Sequence, residues 1–252
     1  MDTRFWGPSG WNLLHNITLN YVPNDKNKKM YENFLQSLPY ILPCIYCRRS
    51  LTEYYLQFPL NNRRSSCNPL SSNENLNLWL YNIHNCVNEK LRSQGLCHTK
   101  NPSFNETLLK YKTDNNCEKI KKTYFNNKQK QIKKTKLNRI CIWNFIYSIA
   151  RNYPTDNKLV TYTQKYYYNL FFKYLPKIYP NKQISILMED YLIQFPIENY
   201  LYNSTTITKW LYGLEKSLTK CNLCYETRCN LVDNFRAGCN GLTDKKPTCR
   251  SK

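Results

Sequence analysis

The sequence predicts an all-α protein, and three observations support that fold class. Apolar residues recur three or four positions apart through most of the chain, which is the period of one face of an α-helix. Long alternation of apolar and polar residues, which would indicate half-buried strands, is absent. The chain has 252 residues, of which 41% are hydrophobic, so it is long enough for one large domain or two ordinary ones. We therefore expect a helical bundle with a core of its own.

The first three predicted helices are separated by prolines. The first follows Pro8-Ser9-Gly10, and the second ends before Pro39. The third runs from Cys44 to about Leu56. Proline favours helix ends because its ring blocks the hydrogen bond that would continue a helix. The apolar positions that define the first two helices are Trp11, Leu14, Ile17, Tyr31, Phe34, Leu35 and Leu38.

The fourth predicted helix has the clearest pattern, because its apolar stripe continues over four turns. Ser71-Ser72 offers a hydroxyl that can cap its first turn, and Gly95 marks its end. A short fifth helix is predicted around Ser103–Lys112. The stripe of the fourth helix consists of Leu76, Leu80, Ile83, Val87 and Leu91.

The second half repeats four sequence blocks of the first half in the same order, which indicates a degenerate copy of the first helical domain. Trp143 corresponds to Trp11, and Trp210 corresponds to Trp79. An unrelated helical domain is the alternative. The predicted divisions are a first domain at 1–112, a Lys-rich linker at 113–139, a second helical domain at 140–220 and a Cys-rich tail at 221–252.

Cys44 and Cys47 form a Cys-x-x-Cys pair directly after Pro43. Pro43 places the pair at the start of a helix, where the positive end of the helix dipole stabilises a thiolate. Such a pair has a lowered thiol pKa and closes a reducible disulfide. The same spacing suits a structural bridge or half a zinc site, but the next such pair, Cys221 and Cys224, lies 174 residues further along. The local context favours redox chemistry.

Two imidazole groups accompany the pair. Trp11 and His15 are four residues apart on one predicted helix, and His84 and Asn88 are four apart on another. Residues with this spacing share a helix face. Each would fit a packed core if it stood alone. In chain order with the dithiol, they indicate a site for a planar cofactor.

These motifs together resemble the Erv/ALR family of FAD-linked sulfhydryl oxidases, over roughly residues 4–112. The resemblance implies a four-helix bundle that holds FAD at its mouth, with a short fifth helix over the cofactor. The segments that carry it are Arg4-Phe-Trp6-Gly7-Pro8-x-x-Trp11-x-x-x-His15, Leu42-Pro43-Cys44-Ile-Tyr-Cys47 and Trp79-Leu-Tyr-Asn-Ile-His84-Asn85-Cys-Val-Asn88.

The resemblance also implies a role for each site residue. Cys44 would be the outer sulfur that a substrate dithiol attacks, and Cys47 the inner sulfur that faces the flavin. Trp11 and His15 would line the flavin ring. The adenine and phosphate side would be held by Trp79, His84, Asn85, Asn88 and either Lys90 or Arg92. The remaining implied cofactor contacts are Arg4, Trp6, Gly7, Lys110 and Tyr111.

The implied activity is FAD-dependent oxidation of protein thiols to disulfides, with reduction of O2 to H2O2. The implied partners are protein thiol substrates and O2, and the implied assembly is a homodimer through a helical face. Alternatively, the second half mimics the partner subunit. By analogy with the versions of large cytoplasmic DNA viruses, the expected location is the host cytoplasm, the viral assembly site or the virion.

Some residues depart from the family pattern or from the first copy. A structural disulfide common in the family is absent, because Tyr81 and Glu106 stand at its positions. Cys86 and Cys97 could replace it with another bridge. In the second half, Lys177 and Pro180 are aligned with Cys44 and Cys47, and Glu215 is aligned with His84. The copy is therefore expected to serve in packing or partner binding.

The C-terminal cysteines leave three interpretations open. Cys221 and Cys224 have the spacing of the shuttle disulfide that many family members carry on a flexible tail. Structural disulfides are the second interpretation, and a zinc knot is the third. No histidine of the second half would assist that knot, because all three lie in the first half. The knot would use Cys221, Cys224, Cys229 and Cys239.

The net charge of +20 is concentrated in the second half. Residues 1–112 contribute +6, and the remaining 140 residues contribute +14. A Lys-rich run at 119–139 suits a solvated linker, and it could also attract nucleic acid or an acidic protein. The alternative function is therefore a basic, zinc-stabilised nucleic-acid-binding protein. That function explains the charge but leaves the tryptophan and histidine motifs unexplained.

We expect neither a membrane span nor a secretory signal. No stretch reaches about 18 uninterrupted apolar residues, and the start Met1-Asp-Thr-Arg has no apolar core of a signal peptide. Twelve cysteines without a signal peptide fit a protein that makes disulfides in the compartment of its synthesis.

Overall fold

The computed structural model describes residues 3–61, 68–113, 137–218 and 224–234, except for the side chains of 113 and 137–141. These residues form helices and connections and contain no strand, which confirms the all-α fold class. Short 3-10 helices lie at Pro69–Ser71, Asn157–Leu159 and Ile197–Tyr200. The α-helices are α1 (Thr3–Leu19), α2 (Asp25–Ile41), α3 (Ile45–Gln57), α4 (Asn73–Ser93), α5 (Phe104–Thr113), α6 (Leu137–Arg151), α7 (Tyr162–Ile178), α8 (Lys182–Gln194), α9 (Ser204–Leu218) and α10 (Tyr225–Asp233).

The predicted ends of α3, α4 and α5 are confirmed to within about a residue or two. Ser72 caps α4 by accepting a hydrogen bond from the backbone N–H of Asn75. Gly95 follows the helix with a φ of 69°, a left-handed conformation that glycine adopts without strain. These ends depend on side chains within a few residues of the helix, so the local sequence determines them.

The predicted limits at Pro8 and Pro39 are wrong, because both prolines lie inside helices. Pro39 removes the N–H that would bond the carbonyl oxygen of Leu35. The hydroxyl of Tyr55, on α3, donates to that oxygen over 2.9 Å. A tertiary contact therefore satisfies the carbonyl and allows α2 to continue through the proline.

The first half is a bundle in which α1 packs against α4 and α5, and α2 packs against α3. The start of α5 is held by Tyr81, whose hydroxyl donates to the carbonyl of Pro102 over 2.9 Å. The Tyr81 ring also meets Phe104 edge to face, with 5.5 Å between centroids. These contacts join α4 to α5 in the region where many members of the resembled family have a disulfide that this sequence lacks.

The second half repeats this arrangement, with α6 against α9 and α7 against α8. The indole N–H of Trp79 donates to the carbonyl of Phe58 over 2.9 Å, and that of Trp210 donates to Phe195 over 2.8 Å. Equivalent tyrosine bonds also occur: Tyr31 donates to Ile17 and Tyr168 donates to Ile149, each over 3.1 Å. Matched contacts of this kind support the predicted relation between the halves.

The two halves meet through equivalent helices. The most extensive contacts between helices join α2 to α7 and α1 to α6. Trp6 stacks on Phe145 with 5.7 Å between ring centroids, and Phe34 stacks on Phe171 with 5.1 Å. Like surfaces facing each other in this way are the arrangement of an isologous dimer, here within one chain.

The predicted alignment of the cysteine motif with the second half is wrong. Cys44 caps α3 and accepts a hydrogen bond from the N–H of Cys47. In the second half, Asn181 caps α8 and accepts from the N–H of Ile184. Asn181 and Ile184 therefore occupy the cysteine positions, whereas Lys177 lies inside α7 and Pro180 lies before the cap. The first half contains two Leu-Pro pairs, and the prediction matched the second-half pair to the wrong one.

The predicted Cys-rich tail at 221–252 includes α10. This helix packs against α6 and buries Arg228, Cys229 and Val232. The Lys-rich run lies mostly outside the described residues, and so do Cys221 and Cys239. The predicted division at 140 falls three residues inside α6.

Candidate functional site

Helices α1, α4 and α5 bring together a group of flat side chains, which we call the ring cluster: Trp11, His15, His84 and Tyr111. Trp11 stacks on His84 with 3.8 Å between centroids and 9° between planes. His15 stacks on Tyr111 with 4.0 Å and 9°. The two stacks are joined by a 3.0 Å hydrogen bond between Nε2 of His15 and Nδ1 of His84. Four residues that the sequence predicted as cofactor contacts thus lie in one place.

Both histidines of the ring cluster are held neutral. Burial, the neighbouring His84 and Lys110 lower the pKa of His15 to about 2. Burial and Lys110 lower the pKa of His84 to about 4. Desolvation disfavours the charged imidazolium, and a nearby cation adds to the effect. At neutral pH the pair therefore shares one hydrogen bond without carrying a charge.

The ring cluster fits the planar, anionic cofactor that the sequence predicts. One face of each ring is covered by its stacking partner, and His15 and Tyr111 are buried, so a flavin would pack against the ring faces that remain. The uncharged imidazoles can donate and accept hydrogen bonds at ring edges. Lys110 lies 5.0 Å from the centroid of the Tyr111 ring and supplies a positive charge beside the cluster. Aromatic faces can pack against a flavin ring, imidazole nitrogens can bond its polar edge, and a cation can bind its phosphates.

The cysteine pair lies at the start of α3. Cys44 has extended backbone angles, and its sulfur accepts from the N–H of Cys47 over 3.4 Å. One turn after Cys47, Ser50 accepts a hydrogen bond from Lys90 of α4. Further along α3, the Tyr54 hydroxyl donates to the carbonyl of Cys86 over 3.3 Å. The cysteine pair is therefore on a helix that is directly bonded to α4, which also carries His84.

The exposure of the two sulfurs runs against the predicted order. Cys44, expected as the outer sulfur, is fully buried, with 0% of its surface exposed. Cys47, expected to face the flavin, is only half-buried. A substrate thiol therefore reaches Cys44 only after whatever covers it has moved.

Several predicted cofactor contacts lie away from the ring cluster. The Trp79 indole binds the Phe58 carbonyl and packs edge to face against Tyr55. Trp6 is buried against Phe145, and its indole nitrogen has no hydrogen-bond partner. Both tryptophans therefore act as packing residues in this structure.

The polar residues predicted for the cofactor have varied surroundings. Lys90 binds Ser50, and Arg92 donates to the carbonyl of Thr99 and the side chain of Asn101. The others are exposed or half-buried along α1 and α4: Arg4, Gly7, Asn85 and Asn88.

The remaining cysteines show no bridge among the described residues. Cys86 and Cys97 are both free thiols, so the predicted substitute bridge between them is not formed. Cys224 is exposed and caps α10 by accepting from the N–H of Thr227, whereas Cys229 is buried. The shuttle interpretation needs Cys221, which lies outside the described residues.

Sequence reasoning missed two residues beside the cysteine pair. Arg48 donates to the carbonyl oxygen of Leu42 over 2.7 Å. The side chain of Asn152, from the end of α6, reaches both Arg48 and the carbonyl of Pro43. The sequence showed Asn152 only as part of the repeat. No local pattern predicts its contact with the segment at Pro43 and Arg48, more than a hundred residues away.

In the part of the chain that the structure describes, no helix is long and apolar enough to cross a membrane. The same residues contain no group of three or more His, Cys, Asp or Glu side chains that could hold a metal ion. Cys221 and Cys239, which the zinc knot needs, are outside this part.

Comparison with protein families gives a match between residues 8–124 and the model of the Erv1 / Alr family. The chain is 37% identical over 90 residues to a probable FAD-linked sulfhydryl oxidase of Acanthamoeba polyphaga mimivirus, a match that covers 35% of this chain and 59% of that protein. It is 30% identical over 95 residues to an FAD-linked sulfhydryl oxidase of African swine fever virus, covering 35% of this chain and 70% of that protein.

A third relative is the mitochondrial FAD-linked sulfhydryl oxidase of Saccharomyces cerevisiae, 32% identical over 93 residues. That match covers 36% of this chain and 45% of the yeast protein. The chain thus spans about half of the yeast and mimivirus relatives, and the match to the family model lies in its first half. No solved structure matches the chain significantly.

Proposed function

The chain belongs to the Erv1/Alr family, and we propose on that premise that it is an FAD-dependent thiol oxidase that forms disulfides in proteins. The observation that carries the proposal is the position of the dithiol. Cys44 and Cys47 begin α3, which is hydrogen-bonded to α4, and α4 contributes His84 to the ring cluster. A redox pair and a site for a planar cofactor therefore share one bundle.

The proposed reaction at the cysteine pair is thiol–disulfide exchange. A substrate thiolate attacks one sulfur of the Cys44–Cys47 disulfide, and the other sulfur leaves as a thiolate. The second substrate thiol then attacks the mixed disulfide. The substrate leaves as a disulfide, and the two cysteines keep the two electrons as a dithiol. The N-terminal position of the pair on α3 favours the thiolate that leaves.

The residues that would hold the cofactor in this proposal are Trp11, His15, His84 and Tyr111, with Lys110 as a nearby positive charge. When bound there, FAD would supply the two-electron acceptor that the dithiol needs and a route for the electrons to O2, giving H2O2. The protein residues provide flat faces for the ring, exclude water from it and keep both imidazoles uncharged. Their neutral state matters because an imidazolium would otherwise add a charge beside the ring.

The proposed substrates are proteins with pairs of thiols. Two of the relatives are proteins of large DNA viruses and are named as FAD-linked sulfhydryl oxidases. By analogy with them, we place the reaction in the host cytoplasm, at viral assembly sites or in the virion.

Residues 137–218 enter the proposal as a built-in counterpart of a second subunit. The faces of α1 and α2 that a homodimer of the first half would use are covered by α6 and α7 of the same chain. The second half has Asn181 and Ile184 at the cysteine positions, so it supports the site without a dithiol of its own. This arrangement replaces the homodimer that the resemblance implied.

The alternative, a zinc-stabilised nucleic-acid-binding protein, has no supporting contact among the described residues. Its Cys224 is exposed at the start of α10, and its Cys229 is buried in the packing of that helix. The two sulfurs therefore lie in different surroundings.

The test is an absorption spectrum of the purified protein, followed by O2 consumption with dithiothreitol. We expect flavin absorption and turnover, and loss of turnover in Cys47→Ala with flavin retained. Cys86→Ala, which removes a thiol outside the pair, is the control and should keep turnover. A colourless protein that contains zinc would contradict the oxidase proposal.

A second measurement identifies the attacked sulfur. A variant that keeps only one cysteine of the pair, Cys44→Ser or Cys47→Ser, is mixed with an activated disulfide reagent. The mixed disulfide that forms is located by mass spectrometry. Faster capture at Cys44 in Cys47→Ser would support the predicted outer sulfur despite its burial. Faster capture at Cys47 would assign that role to the more exposed cysteine.

A further inference from the structure

We propose that Asn152, supplied by the second half, is a positioning residue for the Cys44–Cys47 pair. The proposal rests on the proposed oxidase function and assigns the second half a direct part in it. Asn152 follows α6 and lies more than a hundred residues from the cysteines in the chain. Its side chain nevertheless lies on the backbone that leads into Cys44.

The connection between α2 and α3 has carbonyl groups without helical partners. Leu42 and Pro43 stand between the two helices, and carbonyls at such a break need partners from elsewhere. Arg48 donates from Nη1 to the oxygen of Leu42 over 2.7 Å. With its amide nitrogen toward Pro43, Asn152 donates to the Pro43 oxygen over 3.0 Å and accepts from Nη1 of Arg48 over 3.1 Å. This orientation satisfies both contacts, and the reverse orientation satisfies neither.

The position of Asn152 is itself held by its own half. The backbone N–H of Asn152 donates to the carbonyl of Ile149 over 3.1 Å. The hydroxyl of Tyr168, a buried residue of α7, donates to the same carbonyl over 3.1 Å. Asn152 is therefore fixed by α6 and α7 before it meets the cysteine segment.

The bridge that Asn152 makes between the Pro43 carbonyl and Arg48 is present only at the half that has the dithiol. Asn20 is the counterpart of Asn152 in the first half, and its side chain is exposed and donates to Asn16 of its own helix. The counterpart of Arg48 on α8 is Ser185, which carries no charge. Packing between two similar halves would place the same contacts on both sides. Their restriction to one side points to the cysteine pair.

Arg48 gives the bridge its chemical effect. It lies one helical turn after Cys44, and its backbone N–H donates to the Cys44 carbonyl over 3.0 Å. The carbonyl that holds the Arg48 guanidinium belongs to Leu42, two residues before Cys44, and a cation close to a thiolate stabilises the reduced, charged form of a dithiol. Asn152 keeps that guanidinium against the Leu42–Pro43 segment, so its loss should make the disulfide harder to reduce.

The test is the equilibrium of the Cys44–Cys47 pair with glutathione, in which the disulfide and two glutathione thiols give the dithiol and one glutathione disulfide. The full-length protein is equilibrated, alkylated and digested, and the peptide with residues 44–47 is quantified by mass spectrometry. We expect Asn152→Ala to shift the equilibrium about tenfold toward the disulfide, which corresponds to about 30 mV.

Two further variants make the result decisive. Asn152→Asp keeps the size of the side chain but loses the donor to Pro43. Its carboxylate also offsets the positive charge of Arg48, so this variant should shift the equilibrium in the same direction. It decides the question if Asn152→Ala does not fold. Asn20→Ala is the matched control and should stay within twofold of the wild type. Folding of each variant is checked by circular dichroism.

An unchanged equilibrium in folded Asn152→Ala or Asn152→Asp would overturn the proposal. This outcome differs from failure of the oxidase function, because the equilibrium is read without turnover. A wild type that consumes no O2 would refute the oxidase. A wild type that consumes O2, with variants of unchanged equilibrium, would refute only the role of Asn152.

Discussion

At the scale of single residues, a side-chain hydrogen bond joins α1 to α4, and an equivalent bond between different residue types joins α6 to α9. His15 bonds His84 across α1 and α4 over 3.0 Å. At the corresponding positions, the hydroxyl of Tyr147 donates to Glu215 over 2.8 Å. The first pair is neutral and lies beside flat rings, whereas Glu215 carries a charge that a buried cation compensates. One connection is thus suited to a cofactor and the other to a permanent core.

The neutral histidines predict a loss of stability in acid. Their folded pKa values, about 2 for His15 and about 4 for His84, lie below the ordinary value of 6.5. Between pH 6.5 and about 4 the unfolded chain binds protons that the folded chain does not. As the pH is lowered through this range, the free energy of unfolding of the cofactor-free protein should therefore decrease, by about 1.4 kcal/mol per pH unit for each proton.

Urea denaturation at several pH values measures this dependence. His84→Gln should reduce the slope by about one proton, since one of the two groups is removed. His98→Gln, at an exposed position, is the control for replacing a histidine outside the ring cluster. Equal slopes for wild type and His84→Gln would contradict the assignment of buried neutral imidazoles.

At the scale of helices, α10 takes in the second half the place that α5 takes in the first. Helix α5 packs on α1 and stacks Tyr111 on His15, and α10 packs on α6 with Arg228 over the Tyr147 ring. Arg228 also forms a buried ion pair with Glu215. In the second half, an ion pair beside a tyrosine ring therefore stands where the first half has the ring cluster.

The ion pair of α10 predicts a large cost for breaking one partner. Glu215→Gln should lower the free energy of unfolding by roughly 3–5 kcal/mol, because Arg228 is left buried without a counter-charge. Glu215→Gln combined with Arg228→Met should recover most of that loss, since no charge then remains buried. Chemical denaturation gives both values. A loss below about 1 kcal/mol for the single variant would be incompatible with a buried pair.

The contact between α1 and α6 makes a second prediction at this scale. A side chain at Gly10 would meet the Phe145 ring at 3.1 Å, whereas one at Gly7 would meet nothing within 4 Å. Gly10→Leu should therefore destabilise the protein by about 1–3 kcal/mol through overpacking. Gly7→Ala, on the same helix, should stabilise it by up to about 1 kcal/mol through helix propensity.

Thermal and urea denaturation compare the two glycine variants. Phe145→Ala should cost less stability in the Gly10→Leu background than in the wild type, because the new side chain occupies part of the space that the buried ring leaves. If Gly10→Leu proves as stable as the wild type, the halves do not pack through α1 and α6 as described.

At the scale of the whole molecule, the described residues form two similar bundles, and the first of them combines the ring cluster with a cysteine pair. Helices α6 and α7 cover the faces of α1 and α2, and α10 stands in the second bundle where α5 stands in the first. We therefore expect one FAD per chain and a protein that remains monomeric at micromolar concentration. Flavin absorbance against protein mass, with light scattering of the eluted protein, measures both. Two flavins per chain, or a stable dimer, would contradict the built-in counterpart.

The local sequence determined much of this structure. The periodic stripe and the Ser72 cap predicted α4, and Pro43 with Cys44 predicted the start of α3. Helix spacing also predicted that Trp11 and His15 share one face of α1. Such features depend on residues within one or two turns of each other, so they can be read along the chain.

Only the tertiary structure decided which of these residues meet. It placed Trp6 and Trp79 in the packing and not in the ring cluster. It continued α2 through Pro39 because a tyrosine from α3 donates to the carbonyl that the proline leaves without a helical partner. It also brought Asn152 to the cysteine segment. The physical reason is that these outcomes depend on hydrogen bonds and ring contacts between distant segments. Local propensity and spacing carry no record of such contacts, which form only when the helices of both halves pack together.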